Sequence, residues 1–148
     1  MDVRRMRLRD RGFPSLLAAI HDPPMQLYLR GGSDTSMLSQ PSVAVVGARA
    51  CSSYGRSVTR SLARELAAAG LVVVSGMARG VDSAAHRGAL DGGGATVAVF
   101  GCGVDVIYPP EARALAGRIV VGGALVSGLD PGTPPLKPNF PPGKRLIR

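Results

Sequence analysis

The residues best suited to chemistry are glycines and arginines at the ends of short apolar runs. Ser42-Val43-Ala44-Val45-Val46 is such a run, and Gly47-Ala48-Arg49 follows it. A glycine lets backbone N–H groups approach an anion closely, and a guanidinium adds a planar fork that matches a phosphate. The pattern recurs in Ser75-Gly76-Met77-Ala78-Arg79-Gly80, in Gly101-Cys102-Gly103 and in Ser127-Gly128. Any one of these glycines alone reads as a tight turn. The loops together, with Arg49 and Arg79, read as an anion site, because successive N–H groups form a nest.

Other chemistries fit less well. A dinucleotide site needs G-x-G-x-x-G after a strand; Gly47 to Ser52 does not match it, and Gly101-Cys102-Gly103 lacks the third glycine. The phosphate loop G-x-x-x-x-G-K-[ST] does not occur, so no cofactor is expected. Asp82 and His86 are four residues apart on one helical face. That spacing serves acid–base work or half a metal site, but no third ligand is in view. The plainer reading is that Asp82 starts the helix and holds His86 in place. Asp105 with Tyr108-Pro109 reads as a turn, and no Ser-His-Asp arrangement emerges. Cys51 and Cys102 make no metal spacing and read as reduced thiols in a cytoplasmic protein. The tail Leu136 to Arg145 combines cations with Phe140. It reads either as a solvated basic end or as a platform for a single strand, with Phe140 stacking on a base.

These loops need a frame. Ser42–Val46, Leu71–Ser75, Thr96–Phe100 and Ala124–Ser127 are short apolar runs without alternation, as in strands buried on both faces. Helical patterns lie between them. Tyr54–Ala69 places Val58, Leu62, Leu66 and Ala69 on one apolar face, with Gly70 as its stop. Val81–Leu90 and the short Pro110–Ala116 follow. Strands alternating with helices imply a parallel sheet with flanking helices and right-handed crossovers, an α/β fold. The glycine loops then share its carboxyl edge, where ligands bind. Upstream, residues 1–12 read as a basic, weakly ordered arm, Phe13–Ile20 as a short helix and Met25–Arg30 as an edge strand. Residues 1–40 thus form a lead-in to a domain over 41–148. Six of the twelve residues from Pro131 to Pro142 are prolines, so that segment is extended.

The bulk composition sets limits. A chain of 148 residues fits one domain, and 45% apolar residues exclude overall disorder. Aromatic residues are only 4%, so the core is aliphatic. The net charge of +8 favours an acidic partner, nucleic acid first. No apolar run approaches the ~18–20 residues of a membrane span, and the basic start lacks the apolar stretch of a signal peptide.

The ordered motifs resemble the DprA/Smf family of DNA-processing proteins. Val45-Val46-Gly47-Ala48-Arg49, Tyr54-Gly55 and Val74-Ser75-Gly76-Met77-Ala78-Arg79-Gly80-Val81-Asp82-Ser83-Ala84-Ala85-His86 carry the resemblance. Gly103 to Pro109 and Pro131 to Lys137 with Phe140-Pro141 add to it. It implies an extended Rossmann-like domain that binds single-stranded DNA, acts in natural transformation and helps load a RecA-type recombinase, without catalysis. The expected contacts are Gly47, Arg49, Tyr54, Gly55, Ser75, Gly76, Gly101, Lys137, Phe140 and Arg145. The chain departs from the family's F-P-x-R-N-R run, where Gly143-Lys144-Arg145 keeps only the last arginine. It also has Pro110 in place of a common lysine, and Ser127-Gly128 in place of Ser-Glu. It looks like a shortened member, with the sheet incomplete at its C-terminal end, which bears on whether it forms a homodimer. Two other readings stay open. One is an enzyme that cleaves nucleoside monophosphates, whose Pro-Gly-Gly-x-Gly-Thr segment Gly122-Gly123-Ala124 does not match. The other is an inactive remnant.

Overall fold

The four apolar runs become four parallel strands, and two further strands extend the sheet on one side. The computed structural model describes residues 3–11, 13–14, 18–19, 24–31, 36–48 and 50–135. The parallel strands are β3 (Ser42–Ala44), β4 (Val72–Ser75), β5 (Thr96–Val99) and β6 (Ala124–Ser127). The upstream strands are β1 (Arg4–Arg7) and β2 (Gln26–Gly31). Sheet order is β1-β2-β6-β5-β4-β3. The helices among the described residues are α1 (Ser53–Ala68), α2 (Val81–Asp91) and α3 (Arg113–Gly122), the last entered through a 3-10 turn at Pro110–Ala112. The result is an α/β fold with a mixed sheet.

The mixed sheet corrects the purely parallel expectation. β2 is not an edge strand: it pairs antiparallel with β1 on one side and β6 on the other, with Tyr28 opposite Ser127 and Leu29 opposite Val126. Leu27, Tyr28 and Leu29 are all buried, which is the pattern of an interior strand rather than an exposed edge. Residues 4–7, expected in a weakly ordered arm, form β1 because Met6 is buried against β2's face while Arg5 and Arg7 stay exposed. Most of the helix expected over Phe13–Ile20 lies outside the described residues, as does everything after Pro135.

The core lies on β4, β5 and β6. One face packs Ala98, Phe100 and Leu125 against Leu115 and Ile119 of α3. The other gathers Val72, Val97, Val99 and Val126 with Leu27 and Leu29. β3 departs from the two-faced burial expected of it. It is the outermost strand, with Ser42 and Ala44 exposed and only Val43 half-buried.

α1 also departs from expectation. Its buried residues are Ala63 and Ala67, whereas Val58 and Leu62 are about half exposed. The cause is the closeness of α2. A Cβ on Gly88 would lie 2.1 Å from the Arg60 carbonyl oxygen, and one on Gly94 would lie 2.6 Å from the Ala67 Cβ. Two helix backbones meeting this closely leave room only for small side chains between them. The leucine row is therefore turned away from the contact.

Candidate nucleic-acid interface

Parallel pairing of β3 to β6 brings their carboxyl ends, and the glycine loops, to one edge of the sheet. The first loop continues the ladder by one residue, with Val45 N donating to Val74 O at 2.9 Å. Ser75 Oγ then donates to Val45 O at 2.5 Å. Ser75 is fully buried, so it fixes where the loop departs from the sheet. Gly47 lies against Val81, where a Cβ would meet that side chain at 2.8 Å, and Val81 N donates to Ala48 O at 3.2 Å. The loop thereby rests on the N-terminus of α2. Arg49 lies outside the described residues.

The chain next enters α1. Ser52 is its N-cap, and its Oγ accepts from Gly55 N at 3.0 Å. α1 has no acidic residue in its first turn, so no carboxylate there offsets the positive end of its dipole. Tyr54 in that turn is 79% exposed, and Gly55 is half-buried beside Ser52. α2 differs, because Asp82 occupies its first turn and is largely buried.

The second loop is held by a buried histidine. His86 Nε2 lies 2.6 Å from Gly76 O and Nδ1 lies 2.7 Å from Thr96 Oγ1. A carbonyl only accepts, so Nε2 carries the hydrogen. The Thr96 hydroxyl beside Nδ1 donates to Val73 O at 2.8 Å, which ties the ring's partner to β4. Complete burial lowers the ring's pKa from its ordinary value near 6.5 to about 4. His86 is therefore a neutral clamp at neutral pH, which answers the acid–base and half-metal readings with a structural one. Gly76 lies close to Asp82, where a Cβ would stand 2.8 Å from Oδ2 and the carboxylate would have to shift. Ser83 Oγ donates to Ala78 O at 2.8 Å, and Gly80 turns the chain with φ +78°. Arg79, read from sequence as part of the anion site, forms an ion pair with Glu111.

The third and fourth loops are strapped together. Ser127 Oγ donates to Cys102 O at 2.7 Å, Gly103 N donates to Thr133 O at 3.0 Å, and Gly132 N donates to Asp105 Oδ1 at 2.8 Å. Asp105 thus anchors the neighbouring loop, a role wider than its expected turn. Upstream, Tyr28 Oη donates to Asp130 Oδ1 at 2.8 Å and Arg30 Nη1 to Val104 O at 3.0 Å. The segment through Thr133 is fixed to the site edge by these bonds, and Gly101 lies half-buried at the start of the third loop. Lys137, Phe140 and Arg145 follow beyond the described residues. Burial, reinforced by Asp105, pushes the Cys102 thiol up to about 11, so it stays protonated at neutral pH. Neither cysteine is in a disulfide.

The geometry supplies backbone donors, an acid-free helix N-terminus and tightly placed loops. Among the described residues there is no cluster of three or more His, Cys, Asp or Glu able to hold a metal. None of their helices is long and apolar enough to cross a membrane. Gly122-Gly123 precedes β6 and so lies at the opposite edge from the loops. Gly123 serves there as close packing, with a Cβ 1.8 Å from Thr96 O. Sequence reasoning missed the clamp partner Thr96 and the strap residue Asp130. The signal for the first was the buried β-branched start of β5.

The family model for DNA recombination-mediator protein A matches residues 4–148. The DNA processing protein DprA of Streptococcus pneumoniae is 42% identical over 139 residues, covering 91% of this chain and 47% of that protein. Protein Smf of Escherichia coli is 40% identical over 136 residues, covering 91% and 36%. The X-ray structure of the pneumococcal protein superposes with a TM-score of 0.90 at 40% identity, over 97% of this chain and 50% of that one. A Helicobacter pylori DprA structure, described as giving insight into a single-stranded DNA binding mode, superposes with a TM-score of 0.85 at 34% identity. It covers 98% of this chain and 64% of that one. The chain spans about half the length, or less, of the curated relatives named here. It belongs to the DNA recombination-mediator protein A family.

Proposed function

We propose that the chain binds single-stranded DNA, without catalysing a reaction on it, as part of DNA processing in natural transformation. The observation that carries this is the meeting of four glycine-bearing loops with the acid-free N-terminus of α1 at one sheet edge. Phosphates accept hydrogen bonds from backbone N–H groups there, and Gly47, Gly76 and Gly101 permit close approach. Tyr54 and Gly55 flank that helix end, while Ser75 holds the first loop in register. Arg49, Lys137 and Arg145 pair with phosphates, and Phe140 stacks on a base. The names of the relatives support the same reading, and the Helicobacter pylori protein is described as binding single-stranded DNA. Action in the cytoplasm, delivery of the strand to a RecA-type recombinase, and homodimerisation complete the proposal by family likeness.

The test is a titration of a fluorescent single-stranded oligonucleotide at low and moderate salt, with duplex DNA as the control. Preferential single-strand binding that weakens with salt is expected. Arg49→Ala flattens the slope of log K against log salt by about 0.7 for one lost phosphate contact. Unchanged affinity and slope in a folded Arg49→Glu variant would remove Arg49 from the interface. Absence of binding by folded wild-type protein would retire the proposal.

A further inference from the structure

The carboxylates at the loop edge of the sheet are not spent alike. Asp105 accepts from Gly132 N and Asp130 accepts from Tyr28 Oη, so both hold loops in place, and Asp82 is largely buried. Glu111 instead pairs with a cation on another loop, Arg79. Arg79 stands just before α2, and Glu111 lies in the 3-10 turn that leads into α3. The pair therefore bridges the second and third loops.

Both backbones are anchored without this pair. Ser83 Oγ holds the Ala78 carbonyl on one side of Arg79, and Gly80 turns the chain on the other. Next to Glu111, Ala112 is buried and its N donates to Pro109 O at 2.9 Å. The two charged side chains are nonetheless 66% and 55% exposed. An ion pair this open to water is weak, because solvent screens it and two long side chains lose freedom in making it. A guanidinium gains two parallel bonds from a phosphate. The pair can thus open by side-chain rotation alone, with both loops staying where they are.

We propose that Arg79 is a phosphate contact covered by Glu111 in the free protein, and that a backbone phosphate of a bound single strand takes the guanidinium from the carboxylate. This rests on the reading of the loop edge as a single-strand site. Glu111 then decides which anions reach Arg79. A free phosphate ion competes with a carboxylate tethered to the same protein, and loses. A phosphate on a strand already held by the other loops is tethered too, and it displaces the carboxylate.

The test titrates a fluorescent single-stranded oligonucleotide with wild type, Glu111→Gln and the double variant Arg79→Ala/Glu111→Gln, each checked for folding by circular dichroism. Both side chains are exposed, so the variants are expected to fold. The double variant removes the pair without changing net charge. It is expected to bind ~3–10-fold more weakly than wild type at low salt, with a slope of log K against log salt flatter by about 0.7, for one lost phosphate contact. Glu111→Gln, with Arg79 uncovered, is expected to bind at least ~3-fold more tightly than wild type. In the wild type, the NMR signal of the Glu111 carboxyl carbon moves when the oligonucleotide is added and stays in place with inorganic phosphate at the same phosphate concentration. Equal affinity and slope for wild type and the double variant overturn the proposal, because a pair that stays closed contributes no net charge. So does a Glu111 signal that inorganic phosphate moves as far as the oligonucleotide does. Either result leaves single-strand binding standing, whereas wild type and Glu111→Gln proteins that both fail to bind the oligonucleotide end both readings.

Discussion

Acidification should destabilise the protein through His86. The ring is fully buried between the Gly76 carbonyl and the Thr96 hydroxyl, with its pKa lowered from 6.5 to about 4. Below pH 6.5 the unfolded chain takes up a proton that the folded ring refuses. The clamp's neutral burial therefore contributes its full stability above pH 6.5 and loses it as pH falls toward 4. A separation of this size amounts to about 3 kcal/mol in total, of which about 2 kcal/mol is gone by pH 5. The assay is urea unfolding of wild type and His86→Gln at pH 7.5, 6.5, 5.5 and 5.0. Glutamine can still donate to Gly76 O but does not titrate. The variant begins less stable, and its stability falls less steeply with acid, by about 2 kcal/mol between pH 7.5 and 5.0. Parallel curves for the two proteins would refute the assignment of the transition to His86.

Two glycines in helices should respond oppositely to the same change. Gly88→Ala puts a Cβ 2.1 Å from the Arg60 carbonyl oxygen and should destabilise by about 1–3 kcal/mol in denaturant titration. Gly117→Ala meets nothing within 4 Å and should stabilise by about 0.5–1 kcal/mol, read as a higher Tm. Gly103→Ala crowds Asp105 Oδ1 and Gly132 N at 2.7 Å, costing about 1–3 kcal/mol and speeding amide exchange at Gly132 and Thr133. Arg60→Ala removes an exposed ion pair to Asp91 at 2.6 Å and should change stability by no more than about 0.5 kcal/mol. Arg60 also holds the Asp91 carboxyl below its ordinary range, so that pKa rises in the variant, as followed by NMR titration.

Much of the frame was legible because strands buried in a parallel sheet announce themselves. Ala124–Ser127 is bounded by glycines on both sides and was read to the residue. The α2 helix was read one residue short, and α1 one residue late at each of its two ends. The buried face of α1 was not legible. Hydropathy favours Val58 and Leu62 over Ala63 and Ala67, and only the glycines of α2 reveal that small residues are needed there. β1 was hidden by its arginines, which leave Met6 as the one apolar signal. The glycine loops were visible as a set, but their anchoring was not. Tyr28 and Asp130 lie 102 residues apart, and no local pattern couples them. His86 was seen as either chemical or structural, and its choice between the two depended on Thr96, ten residues away in sequence.

The place of β2 has a consequence for how the chain folds. Its inner neighbour, β6, is made much later, and Tyr28 meets Ser127 across the sheet. A ribosome must deliver about one hundred more residues before Leu27 and Leu29 find their permanent cover. Helix α1 and its contact with α2 join neighbours in sequence, so they can form early, whereas closure of a loop this long comes late and slows the final step. Until then the N-terminal hairpin presents an apolar strand to anything nearby, and the arginines of β1 guard only its outer side.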